Sequence, residues 1–240
     1  MDGFKRAEAF LKTLDDPALY EQMLQTLVRG FGQVICQTDD ALLVHCCRGN
    51  IEMIAARSRE AALKLCSFVP KRAENMELHG LDRETAGEIC RRIGFRNVIE
   101  FVLYAHYAQL PPQGVQAEIR TLTMEDVDFL RENYTHSSRE YLAQRVSEGV
   151  MLGAYVGGRL AGFIGEHEEG AIGLLHVMPE YRRMGLGYAL ERAAIARTMA
   201  QGYVPFAQVV PGNEASHRLQ GRLGFTRSKG TCYWMTNDEF

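Results

Sequence analysis

The stretch Leu174–Leu190, LLHVMPEYRRMGLGYAL, decides how this chain is interpreted. Its apolar start predicts a strand that ends near Val177, and a helical pattern begins at about Gly185. A strand that enters a helix through a glycine-rich turn presents unpaired backbone N–H groups at the positive end of the helix. The sequence therefore predicts an anion-binding site at this turn.

Gly185 and Gly187 allow the backbone to approach a phosphate, and Arg182 and Arg183 add cationic donors beside it. A plain strand-to-helix turn with a solvated arginine pair is the alternative. Two other phosphate motifs are excluded. The chain has no GxxxxGK string, and a dinucleotide fingerprint would need a glycine at Leu190 and a parallel βαβ context.

The turn resembles the signature of the GNAT superfamily of acyl-CoA N-acyltransferases, Val-x-Pro-x-x-(Arg or Gln)-x-x-Gly-x-(Gly or Ala). The matching residues are Val177, Pro179, Arg182, Gly185 and Gly187. A second resemblance lies downstream, where the family has an Asn-x-x-Ser-x-x-Leu helix that ends in Gly-Phe. Its counterparts here are Asn213, Ser216, Leu219, Gly224 and Phe225. The resemblance covers about residues 118–234, and strings such as GLLHVMPEYRRMGLGYALE are most similar to bacterial members related to glycine N-acyltransferases.

The resemblance implies acetyl-CoA as the acyl donor, with no metal. The backbone amides of the turn would bind the pyrophosphate, and the strand before the turn would line the thioester. The downstream helix that begins near Asn213 would contact the pantetheine arm. The residues so implied are Leu175, His176, Val177, Arg182, Arg183, Met184, Gly185, Leu186, Gly187, Tyr188, Asn213, Ser216 and Gln220. The Val177 amide would stabilise the oxyanion.

This chain lacks the residues that usually serve as catalytic base and acid in the family. Many family members place a glutamate where Ala171 stands here, so His176 is the best replacement as base, a structural histidine being the alternative. The usual tyrosine acid is replaced by Gln220. Water, Tyr188 or Tyr233 could protonate the thiolate, or the leaving group needs no acid.

The segment Pro111–Gly114 marks the domain boundary. We expect an α+β protein with two tandem GNAT-like domains, 1–112 and 117–240, each a mainly antiparallel mixed sheet flanked by helices, the second with splayed central strands. Residues 84–95 align on residues 214–225 without gaps, which suggests duplication. Two helices with similar glycine caps would explain the match equally. Residues 55–61, at the equivalent turn, contain no glycine, so we expect no coenzyme site there.

The composition and charge of the chain argue against several further classes of function. The chain has 240 residues, 27 basic against 30 acidic, and a formal net charge of −3, which argues against a nucleic-acid partner. We expect no signal peptide and no membrane span, and six reduced cysteines in a cytoplasmic protein. The expected reaction is direct transfer of an acetyl group to a small-molecule amine. The alternative is a coenzyme A-binding sensor or interaction module without catalysis. The N-terminal domain would bind the acceptor or form a homodimer.

Overall fold

The computed structural model describes residues 3–71 and 73–237, and both ranges contain helices and strands. The helices are α1 Gly3–Lys12, α2 Pro17–Val28, α3 Arg59–Leu65, α4 Arg83–Ile93, α5 Val127–Asn133, α6 Arg139–Ser147, α7 Leu186–Ala200 and α8 Glu214–Leu223. The strands are β1 Gly32–Gln37, β2 Ala41–Cys46, β3 Ile51–Ala56, β4 Asn75–His79, β5 Asn97–Ala105, β6 Glu118–Thr121, β7 Leu152–Val156, β8 Arg159–Glu166, β9 Ile172–Val177, β10 Phe206–Val209, β11 Thr226–Arg227 and β12 Cys232–Thr236.

Local capping chemistry sets many of these ends. The side chains of Ser58, Asp82 and Ser138 accept hydrogen bonds from amides in the first turns of α3, α4 and α6. Helices α4 and α8 end at Gly94 and Gly224, both with positive φ. The fold is α+β with a largely antiparallel sheet flanked by helices, as the sequence predicts.

The chain divides into two compact units. The first contains the described residues of 1–105, 208–217 and 226–240, and the second contains 106–207 and 218–225. The C-terminal strand therefore belongs with the N-terminal residues. The division into functional domains at 1–112 and 117–240 stays a prediction, and the outermost residues of both lie outside the described ranges.

Main-chain hydrogen bonds explain why β12 belongs to the first unit. The sheet order is β1-β2-β3-β4-β12-β5-β10, with β11 paired to β5. β12 is antiparallel to β4 on one side and to β5 on the other, so it closes the sheet between them. Only the β3–β4 pairing is parallel among those with a described register in this sheet.

Two apolar clusters cover the two faces of this sheet. One includes Phe10 and Met23 from α1 and α2, together with Val44. The other includes Leu65 and Ile89 from α3 and α4, together with Met76, Leu78 and Met235. Burial of these side chains supplies the main stabilising free energy of the unit.

The second unit contains a four-stranded antiparallel sheet in the order β6-β7-β8-β9. Its core packs Phe163 and Leu174 of the sheet against Leu130, Leu142 and Val146 of α5 and α6. β9 is an edge strand of this sheet, whereas β10, which follows it in sequence, pairs in the other sheet. The two strands thus belong to different sheets, and the expected splay of central strands within the C-terminal domain stays a prediction. In the described part of the chain, no helix combines the length and apolar character needed to span a bilayer.

Because β12 lies between β4 and β5, a destabilising substitution in β12 should weaken these two strands first. Met235 is fully buried in the cluster with Met76 and Leu78, so Met235→Ala should cost about 2–5 kcal/mol of unfolding free energy. We expect hydrogen exchange to show the loss of protection first in β4 and β5. The matched variant Leu130→Ala, in the core of the second unit, should expose β7 and β8 amides first. Loss of protection confined to residues 117–207 in Met235→Ala would contradict the assignment of β12.

Candidate functional site

A bulge shapes β9 just before the predicted anion site. Phe163 pairs with His176 and Gly165 pairs with Gly173, so three steps on β9 match two steps on β8. Leu174 has φ 56, a conformation uncommon for a residue other than glycine, and its side chain is buried in the core of the unit. Bulges of this kind bend a strand and redirect its backbone groups.

The backbone of Val177 faces the open edge of the sheet. The Met178 N–H donates to the Ala161 carbonyl at 3.0 Å, so the adjacent pair, Gly162 and Val177, is of the non-hydrogen-bonded kind. The N–H and C=O of Val177 therefore point away from β8. The carbonyl accepts a hydrogen bond from Arg182 Nε at 3.1 Å. Within the described residues, the N–H has no acceptor.

A row of unpaired amides follows at the start of α7. The Arg182 N–H bonds to the Pro179 carbonyl, and the Ala189 N–H makes the first helical bond, to the Gly185 carbonyl. Between them, the six amides from Arg183 to Tyr188 have no hydrogen-bond acceptor among the described residues. Six such donors lie at the positive end of a 15-residue helix, at the turn where the sequence predicts an anion site. Anion binding there stays a prediction.

The two glycines of the turn have different roles. Gly185 has φ +82, and a Cβ there would lie 2.8 Å from Val115 Cγ2, so this position requires glycine. At Gly187 a Cβ would meet the side chains of Leu175, Val177 and Leu219 only at 3.9 Å. Gly187 thus leaves space lined by apolar side chains beside the amide row, which fits the approach of a phosphate-bearing ligand.

The segment around Pro111–Gly114 packs on the first turns of α7, which the sequence analysis did not foresee. Tyr188 Oη donates to the Pro112 carbonyl at 3.1 Å, and Arg192 Nε donates to the Pro111 carbonyl at 2.7 Å. The Tyr188 ring also lies against Gly114. These contacts fix the start of α7 relative to the chain that enters this unit.

His176 lies in an aromatic environment on β9. Its ring stacks on Phe163 with centroids 5.5 Å apart, and Tyr134 meets it edge-on at 6.2 Å. Burial, then the charges of Arg182 and His136, lower the His176 pKa from its ordinary value of 6.5. The imidazole is therefore neutral at pH 7 and can accept a proton.

Tyr134 and His136 were missed by the sequence analysis because they lie in a polar loop between α5 and α6. Burial raises the pKa of the Tyr134 phenol, so it keeps its proton at neutral pH. Its ring contacts both His176 and His136. No local pattern could have identified these residues, since only the folded chain brings this loop to β9.

Gln220 is buried in the second unit, where its Nε2 donates to Glu191 Oε1 of α7. Burial raises the pKa of Glu191 to about 7, and the bond from Gln220 only partly opposes this. Glu191 Oε2 and Gln220 Oε1 are buried without a hydrogen-bond partner among the described residues. A protonated carboxyl adds the O–H donor that these oxygens lack, so the geometry favours neutral Glu191.

Asn213 and Ser216 lie in the first unit, whereas the amide row lies in the second. Asn213 Oδ1 accepts the Ser216 N–H at 3.1 Å, so Asn213 caps α8. Tyr233 is buried in a core cluster of the first unit. The structure thus places Leu175–Val177 and Arg182–Tyr188 in one unit and gives Asn213 a capping role.

Two acidic side chains at and just after the end of β8 lie inside the second unit. Glu166 and Glu169 are buried, and Glu166 accepts a hydrogen bond from Thr198 Oγ1 at 3.1 Å. His167 Nδ1 lies 2.8 Å from Tyr141 Oη. Burial lowers the pKa of His167 to about 4. These groups are held inside the unit because α6 and α7 supply polar partners for them.

The corresponding turn of the first unit differs from the site. The Arg57 N–H bonds to the Asp40 carbonyl, and the Ala61 N–H bonds to Ser58 Oγ at 3.2 Å. Glu60 stands in the first turn of α3, where its negative charge opposes an anionic ligand. This turn lacks the glycines and the long row of unpaired amides found at α7.

Comparisons with known proteins show a family likeness over part of the chain. The family model for FR47-like proteins matches residues 149–235, less than half of the chain but including β9, the turn and α7. No curated protein matches the sequence.

Solved structures match over nearly the whole chain at low identity. A Drosophila melanogaster protein is 17% identical with a TM-score of 0.64, covering 98% of both chains. A protein described as a GNAT-family acetyltransferase, from Novosphingobium aromaticivorans, is 20% identical with a TM-score of 0.55, covering 94% of this chain and 98% of its own. A GCN5-related N-acetyltransferase-like protein from Streptococcus suis is 14% identical with a TM-score of 0.54, covering 97% of both. The chain therefore has the GNAT fold.

The raised pKa of Glu191 predicts that the unfolding free energy of the protein depends on pH. Its pKa is raised from 4.5 to about 7, so its contribution to stability is fully present below pH 4.5 and is lost as the pH rises through 7. Glu191→Gln mimics the neutral acid and should match the wild type near pH 4.5. At pH 8 the unfolding free energy of the variant, measured with urea, should exceed that of the wild type by roughly 3 kcal/mol. The exposed control Glu180→Gln should show no such trend. A pH-independent difference for Glu191→Gln would contradict the buried neutral acid.

Proposed function

We propose that this protein is an acyl-CoA-dependent N-acyltransferase that transfers an acetyl group from acetyl-CoA to the primary amine of a small molecule. One observation carries the proposal: six unpaired amides at the start of α7 lie directly after the open edge of β9. The GNAT fold and the FR47-like match support it at the level of the protein class.

The chemistry of the turn fits coenzyme A. A pyrophosphate is a strong acceptor of hydrogen bonds, and the amides from Arg183 to Tyr188 are unused donors. The exposed side chains of Arg182 and Arg183 add positive charge. The space beside Gly187, lined by Leu175, Val177 and Leu219, admits the ligand close to the backbone. When bound, acetyl-CoA supplies the acyl group as a thioester.

Val177 and His176 have complementary roles in the proposed reaction. The Val177 N–H points to the open edge, where it can donate to the thioester oxygen as negative charge develops. An amine attacks only when it is neutral, so the reaction needs a proton acceptor. His176 is neutral at pH 7 and takes this proton directly or through water. The acetyl group would pass directly to the amine in a ternary complex, without a covalent enzyme intermediate. The C–N bond would form as the C–S bond breaks, and coenzyme A would leave as a thiolate that takes a proton from water.

The acceptor is proposed to be a small amine. The net charge of −3 offers no broad anionic field for polybasic protein tails. The likeness to glycine N-acyltransferases makes glycine and other amino acids the first acceptors to assay. All six cysteines are free thiols, which supports our proposal of a reducing, cytoplasmic setting.

Coenzyme binding is predicted to stabilise the full chain. At a hundred times the dissociation constant, acetyl-CoA should add about 2.7 kcal/mol of unfolding free energy, visible as a rise of several degrees in Tm. Calorimetric titration should give about one site per chain. The turn at residues 55–61 has no glycine, uses the Arg57 and Ala61 amides internally and carries Glu60 in the first turn of α3. Pantetheine, which lacks the pyrophosphate, should bind much more weakly.

Arg183→Ala should weaken coenzyme binding and reduce its salt dependence, whereas the exposed control Arg159→Ala should not. Equal binding of pantetheine and coenzyme A, or two equivalent sites per chain, would contradict the assigned site. Binding of acetyl-CoA without transfer to any amine in a broad panel would favour the coenzyme A-binding sensor.

His176→Ala is predicted to lower turnover by roughly 10²–10⁴-fold, the usual contribution of a general base. In the wild type, kcat/KM should fall on the acid side below pH 6.5, since the pKa of His176 is lowered. The variant should lose this limb while its KM for acetyl-CoA changes little. His45→Gln, at a histidine of the first unit, is the control. An unchanged rate and pH profile in His176→Ala would eliminate the assignment.

A further inference from the structure

Three side chains of metal-binding type meet in the interior of the first unit. Glu77 and His79 lie on β4, Cys232 lies on β12, and all three are fully buried. One ligand atom from each lies within 4.8 Å of the others. We propose that these residues bind a zinc ion that ties β12 to β4.

The strand register brings the three donors together. Glu77 and His79 are two residues apart on β4, so their side chains share one face of the sheet. Cys232 is the direct antiparallel partner of His79, which places its side chain on the same face. The family resemblance implied no metal, and no local spacing pattern could have joined these residues, since the cysteine and the histidine are 153 residues apart.

The distances between donors suit one small cation. Glu77 Oε2 is 3.0 Å from His79 Nε2, and Cys232 Sγ is 3.8 Å from the same nitrogen. Ligand atoms on a tetrahedral zinc ion, with bonds of about 2.0–2.3 Å, are separated by about 3.3–3.7 Å. Both distances from His79 are therefore within a few tenths of an ångström of these values, and the carboxylate oxygen and the sulfur lie within 4.8 Å of each other. A water molecule can take the fourth position.

Surrounding groups orient the donors as they do in metal sites. His79 Nδ1 lies 3.0 Å from the Leu19 carbonyl, which can only accept, so Nδ1 carries the hydrogen and donates it. In the neutral ring, Nε2 then presents its lone pair to Glu77 and Cys232. Glu77 Oε1 accepts hydrogen bonds from Gln22 Nε2 at 2.9 Å and Gln208 Nε2 at 3.0 Å, which leaves Oε2 for the ion. Such outer contacts fix the ligands of metal centres.

The charge balance also favours a divalent cation. An imidazole lone pair and a carboxylate oxygen at 3.0 Å need a positive partner between them, which is either a proton or a metal ion. A proton would serve these two groups alone, whereas zinc also uses the cysteine sulfur. Binding releases the thiol proton, and Zn²⁺ with one thiolate and one carboxylate is neutral overall, as a buried site requires. Sulfur, nitrogen and oxygen donors together select zinc over magnesium or calcium.

The test is the metal content and stability of the full chain. Protein produced with zinc in the medium should retain about one zinc per chain after gel filtration, by mass spectrometry of the digested sample. Removal with a strong chelator should lower Tm, and added zinc should restore it. Cobalt in place of zinc should give an intense near-ultraviolet band from thiolate-to-cobalt charge transfer, which reports the cysteine ligand directly.

Cys232→Ser should abolish the cobalt band, and His79→Gln should reduce zinc retention at least tenfold. Cys90→Ser, at another buried cysteine of the same unit, is the matched control and should retain the metal. Substoichiometric zinc in the wild type, with a Tm that neither chelator nor zinc changes, would overturn the proposal and leave a proton-linked Glu77–His79 pair. The zinc content and Tm of the wild-type chain are enough to overturn the proposal, so the test does not depend on whether a variant folds.

Discussion

The edge of β9 that carries Val177 has no hydrogen-bonded strand beside it among the described residues. The bulge at Leu174 and the alternation of hydrogen-bonded pairs turn the Val177 N–H toward this edge. A few residues later, the start of α7 leaves six amides without acceptors. Unused backbone donors near one another are costly unless water or a ligand takes them. The proposed site thus consists mainly of backbone donors, to which the side chains of Arg182 and Arg183 add positive charge.

The first unit depends on β12, the C-terminal strand, which lies far in sequence from the strands that it pairs with. β12 fills the place between β4 and β5, and Met235 completes one of the two apolar clusters. Cys232 on the same strand faces His79, where the proposed zinc ion would add a bond to the backbone ladder. A C-terminal strand buried in this way explains why the first 112 residues alone lack part of their own sheet.

Much of this could be predicted from the sequence, because the evidence is local. The strand–turn–helix at residues 174–190, the capped helices and the Gly-Phe ends of α4 and α8 follow from short-range rules of capping and periodicity. The pairing of β12 with β4 and β5 in the first unit could not be predicted, since strand pairing is decided by tertiary packing. Glu191, Tyr134 and Cys232 were missed for the same reason. Each gains its environment from a residue on another element, Gln220, His176 and His79 respectively.

The most direct test of the central claim is a titration of ¹⁵N-labelled protein with coenzyme A, followed by amide NMR. The account predicts that the largest shifts fall on the amides from Arg183 to Tyr188 and on Val177, because these donors change from water to phosphate or pantetheine oxygens. Shifts concentrated at residues 55–61, or spread evenly without saturation, would contradict the assignment of the coenzyme site to the start of α7.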